Sequence, residues 1–165
     1  MTSSSHTRGA FAALLIGAAA LATAGTAQAQ DAHKHHTVLS ADAIQWGPAP
    51  PSLPKGAQAA VLLGNPAQQG PFVIRLKFPA GFIVPPHRHS EDEFVTVLSG
   101  SFTITPEETV DRAAIKPLPP GSFMYMPAGT AHYAFAETEA VVQVQGMGPF
   151  DVVYVKASDD PRKQN

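Results

Sequence analysis

Residues 81–100 read Gly-Phe-Ile-Val-Pro-Pro-His-Arg-His-Ser-Glu-Asp-Glu-Phe-Val-Thr-Val-Leu-Ser-Gly, and this stretch decides the fold class and the chemistry of the chain. It holds three potential metal ligands, His87, His89 and Glu93. Side chains two positions apart in a strand point to the same face, so the two imidazoles are predicted to lie side by side. Glu93 lies an even number of positions from both histidines, so after the short turn at residues 90–92 its side chain can point to the same face as the imidazoles. Two imidazoles and a carboxylate on one face are typical of a transition-metal site.

The composition indicates one soluble globular domain. Of the 165 residues, 44% are hydrophobic and 15% are charged, which is ordinary for such a domain. The formal net charge of -2 gives no electrostatic reason to expect nucleic acid or an anionic membrane as a partner. Because the chain has no cysteine, disulfides and thiolate ligands are excluded, and any metal must be held by histidine, carboxylate or water.

The N-terminal residues 1–29 are predicted to be a signal peptide. Arg8 precedes an apolar, alanine-rich run, and Ala27-Gln28-Ala29 fits the small-x-small pattern of a cleavage site. The run is short for a membrane span and no stop-transfer charges follow it, although an uncleaved anchor helix is the alternative interpretation. We therefore expect cleavage after Ala29, a periplasmic or secreted location and no stable membrane anchor.

Three segments are predicted after the leader. They are a flexible, Pro-rich N-terminal segment at residues 30–56, a barrel domain at residues 57–157 and a polar C-terminal tail at residues 158–165. The first of them contains a histidine-rich tract, His33 to His36. We interpret this tract as an adventitious metal site, because a chain terminus of this kind frays.

From residue 58 onward the pattern predicts a β protein. The 16 prolines and 13 glycines favour short strands and frequent turns over a helical bundle. Ser99-Gly100-Ser101 predicts a hairpin, and Pro85 and Pro86 are expected at an edge or a bend because they cannot donate to a ladder. Roughly eight or nine short strands argue for a β-sandwich or barrel. The predicted strands cover residues 59–63, 71–78, 82–84, 94–98, 102–105, 122–126, 131–136, 141–145 and 150–156.

A second motif supplies a fourth candidate ligand. Gly121, Pro127, Gly129 and His132 follow the spacing Gly-x5-Pro-x-Gly-x2-His. The opening stretch has the spacing Gly-x5-His-x-His-x3-Glu-x6-Gly. In this order and at this separation, the two motifs resemble the paired motifs of the cupin superfamily, and the resemblance extends over most of the chain after the leader. Within the superfamily, the chain is most similar to small exported bacterial cupins and distantly similar to the cupin domain of anti-sigma factors.

The resemblance to cupins implies an all-β fold, a single jelly-roll β-barrel with a metal inside it. It also implies that the His-x-His pair and the glutamate come from one hairpin and the last histidine from a facing one, and it makes a homodimer the expected assembly. One departure is Ala136, where many cupins carry an asparagine that is not a ligand. The ligands implied by the resemblance are His87, His89, Glu93 and His132.

The expected cofactor is one divalent transition metal ion, with a small molecule as substrate or ligand. Three imidazoles and a carboxylate leave one or two positions open, which suits Fe, Mn, Ni, Co, Cu or Zn. Open positions would serve a dioxygenase, or Lewis-acid chemistry such as that of an isomerase. The alternatives are a non-catalytic periplasmic module that binds or senses metal or ligand, and a metal-stapled structural barrel. The expected lining of an apolar barrel mouth is Phe82, Met124, Tyr125, Met126, Phe135 and Met147.

Overall fold

Ten β-strands and three short 3-10 helices make up the regular structure of the described residues. The computed structural model describes Met1 and residues 36–164. The strands are β1 (Gly47–Pro48), β2 (Gln58–Leu63), β3 (Gly70–Phe78), β4 (Phe82–Arg88), β5 (Glu93–Ser99), β6 (Phe102–Thr105), β7 (Phe123–Met126), β8 (His132–Ala136), β9 (Ala140–Gly148) and β10 (Val153–Tyr154). The 3-10 helices are Ala41–Ala43, Ala157–Asp159 and Pro161–Lys163.

The strands form two antiparallel sheets. One has six strands in the order β1-β2-β3-β9-β5-β7, and the other has four in the order β10-β4-β8-β6. From β4 to β10, successive strands belong alternately to the four-stranded and the six-stranded sheet. A chain that crosses between two antiparallel sheets at every step has the winding of a jelly roll. The predicted all-β jelly-roll barrel is therefore confirmed.

Alternation along the strands builds the core between the sheets. On β3, Phe72, Leu76 and Phe78 are buried, whereas Arg75 and Lys77 lie between them and are only partly buried. Full burial of one large apolar side chain contributes about 1.5–3 kcal/mol, so the inward set of each strand dominates the stability. Both sheets contribute to one core cluster, whose further members include Val84, Val95, Val97, Phe102, Ala134, Val142 and Val144.

The turn at Gly100 is present, but it does not join a hairpin. Gly100 has φ +75, and a Cβ at this position would overlap the backbone of Glu139. Glycine is therefore required here for both conformation and space. The predicted hairpin is wrong, because β5 pairs with β9 and β7 whereas β6 pairs with β8 in the other sheet.

The two prolines before the histidine pair lie at an irregularity of β4. The pairing of β4 with β8 shifts register between Val84 and His87, which is where Pro85 and Pro86 stand. β4 is an inner strand between β10 and β8, so of the two predicted settings it is the bend that occurs. Prolines inside sheets are confined to edges and such irregularities, since they have no N–H to donate.

The second half of the predicted N-terminal segment packs on the barrel. Gly47–Pro48 pairs with β2, and Ala49 and Leu53 pack against the core. The Tyr154 hydroxyl donates a hydrogen bond of 2.7 Å to the Ser52 carbonyl oxygen. Ordered backbone thus begins before residue 57, the predicted start of the barrel domain.

The predicted leader and most of the histidine tract lie outside the described residues, so the signal peptide stays a prediction. His36, the last residue of the tract, is exposed. Within the part of the chain that the structure describes, no helix has the length and apolar character needed to span a bilayer.

The C-terminal tail is joined to the barrel through the Arg162 guanidinium, which the Asp160 carboxylate holds in place. Asp160 is 6% exposed and accepts hydrogen bonds from the Arg162 guanidinium, the shortest of 2.8 Å. The same guanidinium donates to the Val152 carbonyl oxygen at 2.8 Å. The tail therefore supports the segment around residue 152, which approaches the site described next.

Candidate metal centre

The four predicted ligands converge inside the barrel from both sheets. His87 on β4 is the cross-strand partner of His132 on β8, and His89 follows directly after β4. Glu93 is the first residue of β5 in the six-stranded sheet. The expectation that the His-x-His pair and Glu93 share one hairpin is wrong, because the chain passes from one sheet to the other after Arg88.

Three of these side chains form a compact group, called here the histidine cluster (His87, His89 and His132). One ring nitrogen from each lies within 4.8 Å of the others. The Oε2 atom of Glu93 is 3.3 Å from Nε2 of His132 and 3.7 Å from Nε2 of His89. None of the four residues is more than 7% exposed. The histidine cluster is thus an arrangement that could bind a metal ion.

Backbone carbonyl groups orient all three rings. Nδ1 of His87 and of His132 each faces the carbonyl oxygen two residues earlier, at 2.7 and 2.9 Å. Nδ1 of His89 faces the carbonyl oxygen of Asp151. Because a carbonyl oxygen only accepts, each Nδ1 carries the proton and donates it. In the neutral ring, Nε2 then keeps a free lone pair, which is the tautomer and orientation of a metal-ligating histidine.

The atoms at the centre fit a cation. Nε2 of His89, Nε2 of His132 and Oε2 of Glu93 are buried and make no hydrogen bond with any described residue. The 3.3 Å contact between Glu93 and His132 lacks hydrogen-bond geometry, and with Nδ1 protonated both atoms present lone pairs. Each buried, unsatisfied polar group costs about 1–3 kcal/mol. A divalent ion among these atoms would remove that cost, so the residues fit a metal.

The surroundings of His87, His89 and Glu93 lower the pKa of each of these three side chains. Burial, followed by the nearby His132 and His89, lowers the pKa of His87 to about 3. Burial is also the main cause that lowers the pKa of His89. For Glu93, burial raises the pKa, but a hydrogen bond from the protonated His132 ring and the positive charges that the histidines carry when protonated outweigh it, and the pKa lies below its usual value. Neutral imidazoles and an ionised carboxylate are the forms that bind metals.

The stability of the metal-free protein should fall as the pH is lowered. Below a pH of about 6.5, the unfolded chain binds a proton at His87, whereas the folded chain does so only near the folded pKa of about 3. Between these values the unfolded state holds more protons, so the free energy of unfolding decreases by up to about 1.4 kcal/mol per pH unit for this residue. Urea denaturation of the metal-free protein at a series of pH values between about 7 and 4 measures the slope.

The control for this prediction is a pair of histidine variants. His87→Asn should show a shallower slope than the wild type, whereas His36→Asn should keep the wild-type slope because His36 is exposed. A free energy of unfolding that does not change over this pH range would contradict the prediction.

Two residues that the sequence did not indicate support His89. The Phe150 ring stacks on the His89 ring with centroids 4.1 Å apart. Asp151 accepts from the His89 ring through its carbonyl, and its carboxylate accepts from the Ser90 N–H at 2.7 Å. Both residues lie far along the chain from the His-x-His pair, and no local pattern marks them. Only Gly148-Pro149 before them hints at a turn.

Asp92 holds the turn that leads to His132. Its carboxylate accepts from the Ala128 N–H at 2.8 Å and from the Tyr125 hydroxyl at 3.0 Å. The N–H of Gly129 donates to the His89 carbonyl oxygen at 2.8 Å. These contacts join the two motifs and leave Asp92 occupied as a structural acceptor.

A cavity of about 110 Å³ adjoins the four side chains inside the barrel. None of the six residues predicted to line an apolar mouth lines this cavity. Met124 is buried in the core, whereas Tyr125 and Met147 are exposed. The side chains that line the cavity instead come from β3, β4, β5, β6, β8 and β9 and from the connecting residues Pro50, Ser52, Leu53, Pro66, His89, Phe150 and Val152.

Comparisons with known proteins agree with this architecture. The family model described as Cupin domain matches residues 74–153. The polyketide cyclase RemF from Streptomyces resistomycificus is 19% identical, with 77% of this chain and 90% of that chain covered and a TM-score of 0.61. An RmlC-like cupin protein from Ralstonia eutropha is 20% identical, with 76% of each chain covered and a TM-score of 0.58.

A third solved structure, KdgF from Halomonas sp., is 20% identical, with 69% of this chain and 96% of that chain covered and a TM-score of 0.53. At such identities the likeness extends to the fold alone. No curated protein matches the sequence.

Proposed function

Because the chain belongs to the cupin superfamily, we propose that it holds one divalent transition metal ion on the histidine cluster and Glu93. We further propose that the open coordination positions serve metal-dependent oxygenation or Lewis-acid chemistry on a small molecule. One observation carries the proposal: three buried atoms, from His89, Glu93 and His132, face one another without a hydrogen-bond partner among the described residues.

The histidines and Glu93 would have different roles in such a site. The histidine cluster would bind through its Nε2 atoms, and the Glu93 carboxylate would reduce the net charge of the buried ion. A bound ion supplies a Lewis acid or, for a redox-active metal, a site for dioxygen. Among the described residues that line the cavity, the titratable side chains are those of the cluster and Glu93. Any proton transfer inside the cavity would therefore fall to Glu93.

The identity of the metal follows from where the chain folds. If the predicted signal peptide directs export before folding, the site meets metals outside the cytosol, and the Irving–Williams order then favours Cu or Zn over Mn and Fe. Elemental analysis of protein taken from its native compartment tests this. If the protein contains mainly Fe or Mn, at one ion per chain, the proposed preference for Cu or Zn is contradicted. Such a result would favour oxygenation as the reaction.

The reaction is tested by comparing two neighbouring carboxylates. Glu93→Ala removes a buried side chain, which is 10% exposed, whereas Glu91→Ala removes a carboxylate that does not line the cavity. Metal-loaded proteins would be incubated with dioxygen and a panel of small aromatic substrates, and oxygen uptake would be recorded. We expect uptake in the wild type and in Glu91→Ala, and a loss of at least about a hundredfold in Glu93→Ala.

The second candidate is a non-catalytic module that binds or senses a metal or ligand. The lack of further acid–base groups among the described residues that line the cavity favours it. Tight metal binding without turnover, together with a melting temperature that rises when a ligand is added, would support this candidate over the enzyme.

Location and assembly are proposed on sequence grounds. The pattern at residues 1–29 supports export to the periplasm or beyond, with no membrane anchor after cleavage. The resemblance to cupins supports a homodimer. Sedimentation of the mature chain measures its mass in solution, and a monomer at all concentrations would contradict this part.

A further inference from the structure

The cavity beside the histidine cluster and Glu93 has an almost entirely apolar lining. Apart from the cluster, Glu93 and Ser52, every side chain that lines it is a hydrocarbon or a proline ring. Among the described residues that line it there is no Lys, Arg, Asn, Gln or Thr. Apart from the Ser52 side chain, the polar side chains that a ligand can meet among the described lining residues are therefore those of the four candidate metal ligands.

This lining restricts the chemistry of a ligand. A polar group buried against the hydrocarbon wall without a partner costs about 1–3 kcal/mol, so a polyol would lose several such amounts. An apolar body gains from burial, at about 25 cal/mol per Å². A molecule with an apolar body and donor atoms at one end therefore matches the cavity best.

The volume restricts the size of the ligand. The cavity measures about 110 Å³. An apolar cavity of about 150 Å³ in another protein stays dry and binds benzene. A single ring of about six heavy atoms, or a chain of similar length, is thus the size that this cavity suits.

One wall of the cavity comes from outside the two sheets. Pro50, Ser52 and Leu53 line it, in a segment called here the proline strap (residues 48–54), which contains four prolines. The Leu53 N–H donates to the Pro50 carbonyl oxygen at 2.9 Å, and Tyr154 holds Ser52 through the 2.7 Å hydrogen bond. Prolines and these two bonds restrict the strap, so Leu53 cannot easily move aside.

We propose that the cavity selects a small molecule with an apolar body and its polar donor atoms confined to one end, and that Leu53 sets the upper size limit. This inference rests on the proposed function, since the polar end would face the metal. The selectivity of the walls, however, belongs to the protein alone and can be measured without metal.

The test uses ring-shaped probes with the metal-free protein. Cyclohexanol and tetrahydropyran-4-ol have the same number of heavy atoms and the same hydroxyl, but the second carries a ring oxygen at the end opposite the hydroxyl. Binding is followed by the NMR shifts of the methyl groups of cavity-lining Ile74, Val95 and Val144. We expect cyclohexanol to shift these methyls and to bind at least about tenfold more tightly than tetrahydropyran-4-ol, whose ring oxygen would be buried without a partner. Equal or tighter binding of tetrahydropyran-4-ol would overturn the inference.

The size limit is tested with 4-tert-butylcyclohexanol. Leu53→Ala, or the milder Leu53→Val, should bind this larger probe at least about tenfold more tightly than the wild type, because one methylene of space in a pocket already changes affinity by about tenfold or more. Leu98→Ala is the matched control, since Leu98 is 37% exposed and does not line the cavity. An unchanged affinity in both Leu53 variants would overturn the role of Leu53.

A separate metal titration distinguishes this inference from the proposed function. If cyclohexanol binds as expected but no divalent transition metal binds tightly, the cavity selectivity stands and the proposed function fails. If metal binds tightly and cyclohexanol does not bind, the inference fails while the proposed function stands.

Discussion

Replacing His132 by alanine should lower the affinity for a divalent transition metal by more than about a hundredfold. Substitution of a residue that only hydrogen-bonds to a metal ligand already lowers metal affinity by roughly 10–100-fold, and removal of a ligand itself should have a larger effect. His132 is 1% exposed, and its Nε2 lies 3.3 Å from Oε2 of Glu93. The alanine variant lacks one of the three imidazoles that would bind the ion, and the Glu93 carboxylate loses its nearest histidine ring. Competition against a chelator of known affinity, with zinc as the probe, measures the change.

The control for this variant is His36→Ala. His36 is the described end of the histidine-rich tract and is exposed, so its removal should leave the tight site intact. If His132→Ala binds zinc as tightly as the wild type, the centre described here is not the metal site. If His36→Ala causes the larger loss, the tract near the N-terminus holds the tight site instead.

Replacing Phe72 by alanine should destabilise the barrel by about 3–5 kcal/mol, the usual cost of deleting a buried phenylalanine side chain. Phe72 is 1% exposed and packs against Phe150 with ring centroids 5.1 Å apart. Its removal leaves a cavity between the sheets that the backbone cannot close. Thermal unfolding of the metal-free protein should show a melting temperature lower by on the order of 10–20 °C.

Phe123→Ala provides a matched control for the loss of a phenyl ring. Phe123 is 59% exposed, so we expect a change within about 0.5 kcal/mol. Equal effects of the two substitutions would show that the core is not packed as described. The Phe72 variant should also weaken metal binding modestly. Phe150 stacks on the His89 ring, and without the Phe72 ring Phe150 would be held less firmly in that position.

Local patterns predicted most of the strands and the turn glycines, although β1 was not predicted and only Val153–Tyr154 of the predicted strand at residues 150–156 is a strand. The alternation of Phe72, Leu76 and Phe78 with polar residues places β3 in the sheet with the correct face inward, since a strand repeats every two residues. Gly100 and Gly129 both have positive φ, as expected of turn positions. Such features depend on neighbours in the chain, so they can be read without the fold.

Two of the predictions that were wrong concerned which strands pair and which side chains share a cavity. Ser99-Gly100-Ser101 is a turn, but the strand after it joins the other sheet, because turn residues specify a local bend and not the next pairing partner. The expected mouth residues included Met124, Tyr125 and Met126 in succession, and side chains that alternate between two faces cannot all point into one cavity.

By itself, the sequence determined which side chains are available as ligands and that the chain folds into a cupin barrel, because the residue types and the spacing of residues 81–100 and of the second motif are local properties. Only the tertiary structure decided that Glu93 reaches the histidines from the opposite sheet, that the Asp151 carbonyl orients His89, and that Leu53 forms a wall of the cavity. Each of these contacts joins residues that are distant in the chain or that belong to different sheets. Their geometry depends on how the two sheets pack, which no periodicity within a strand encodes.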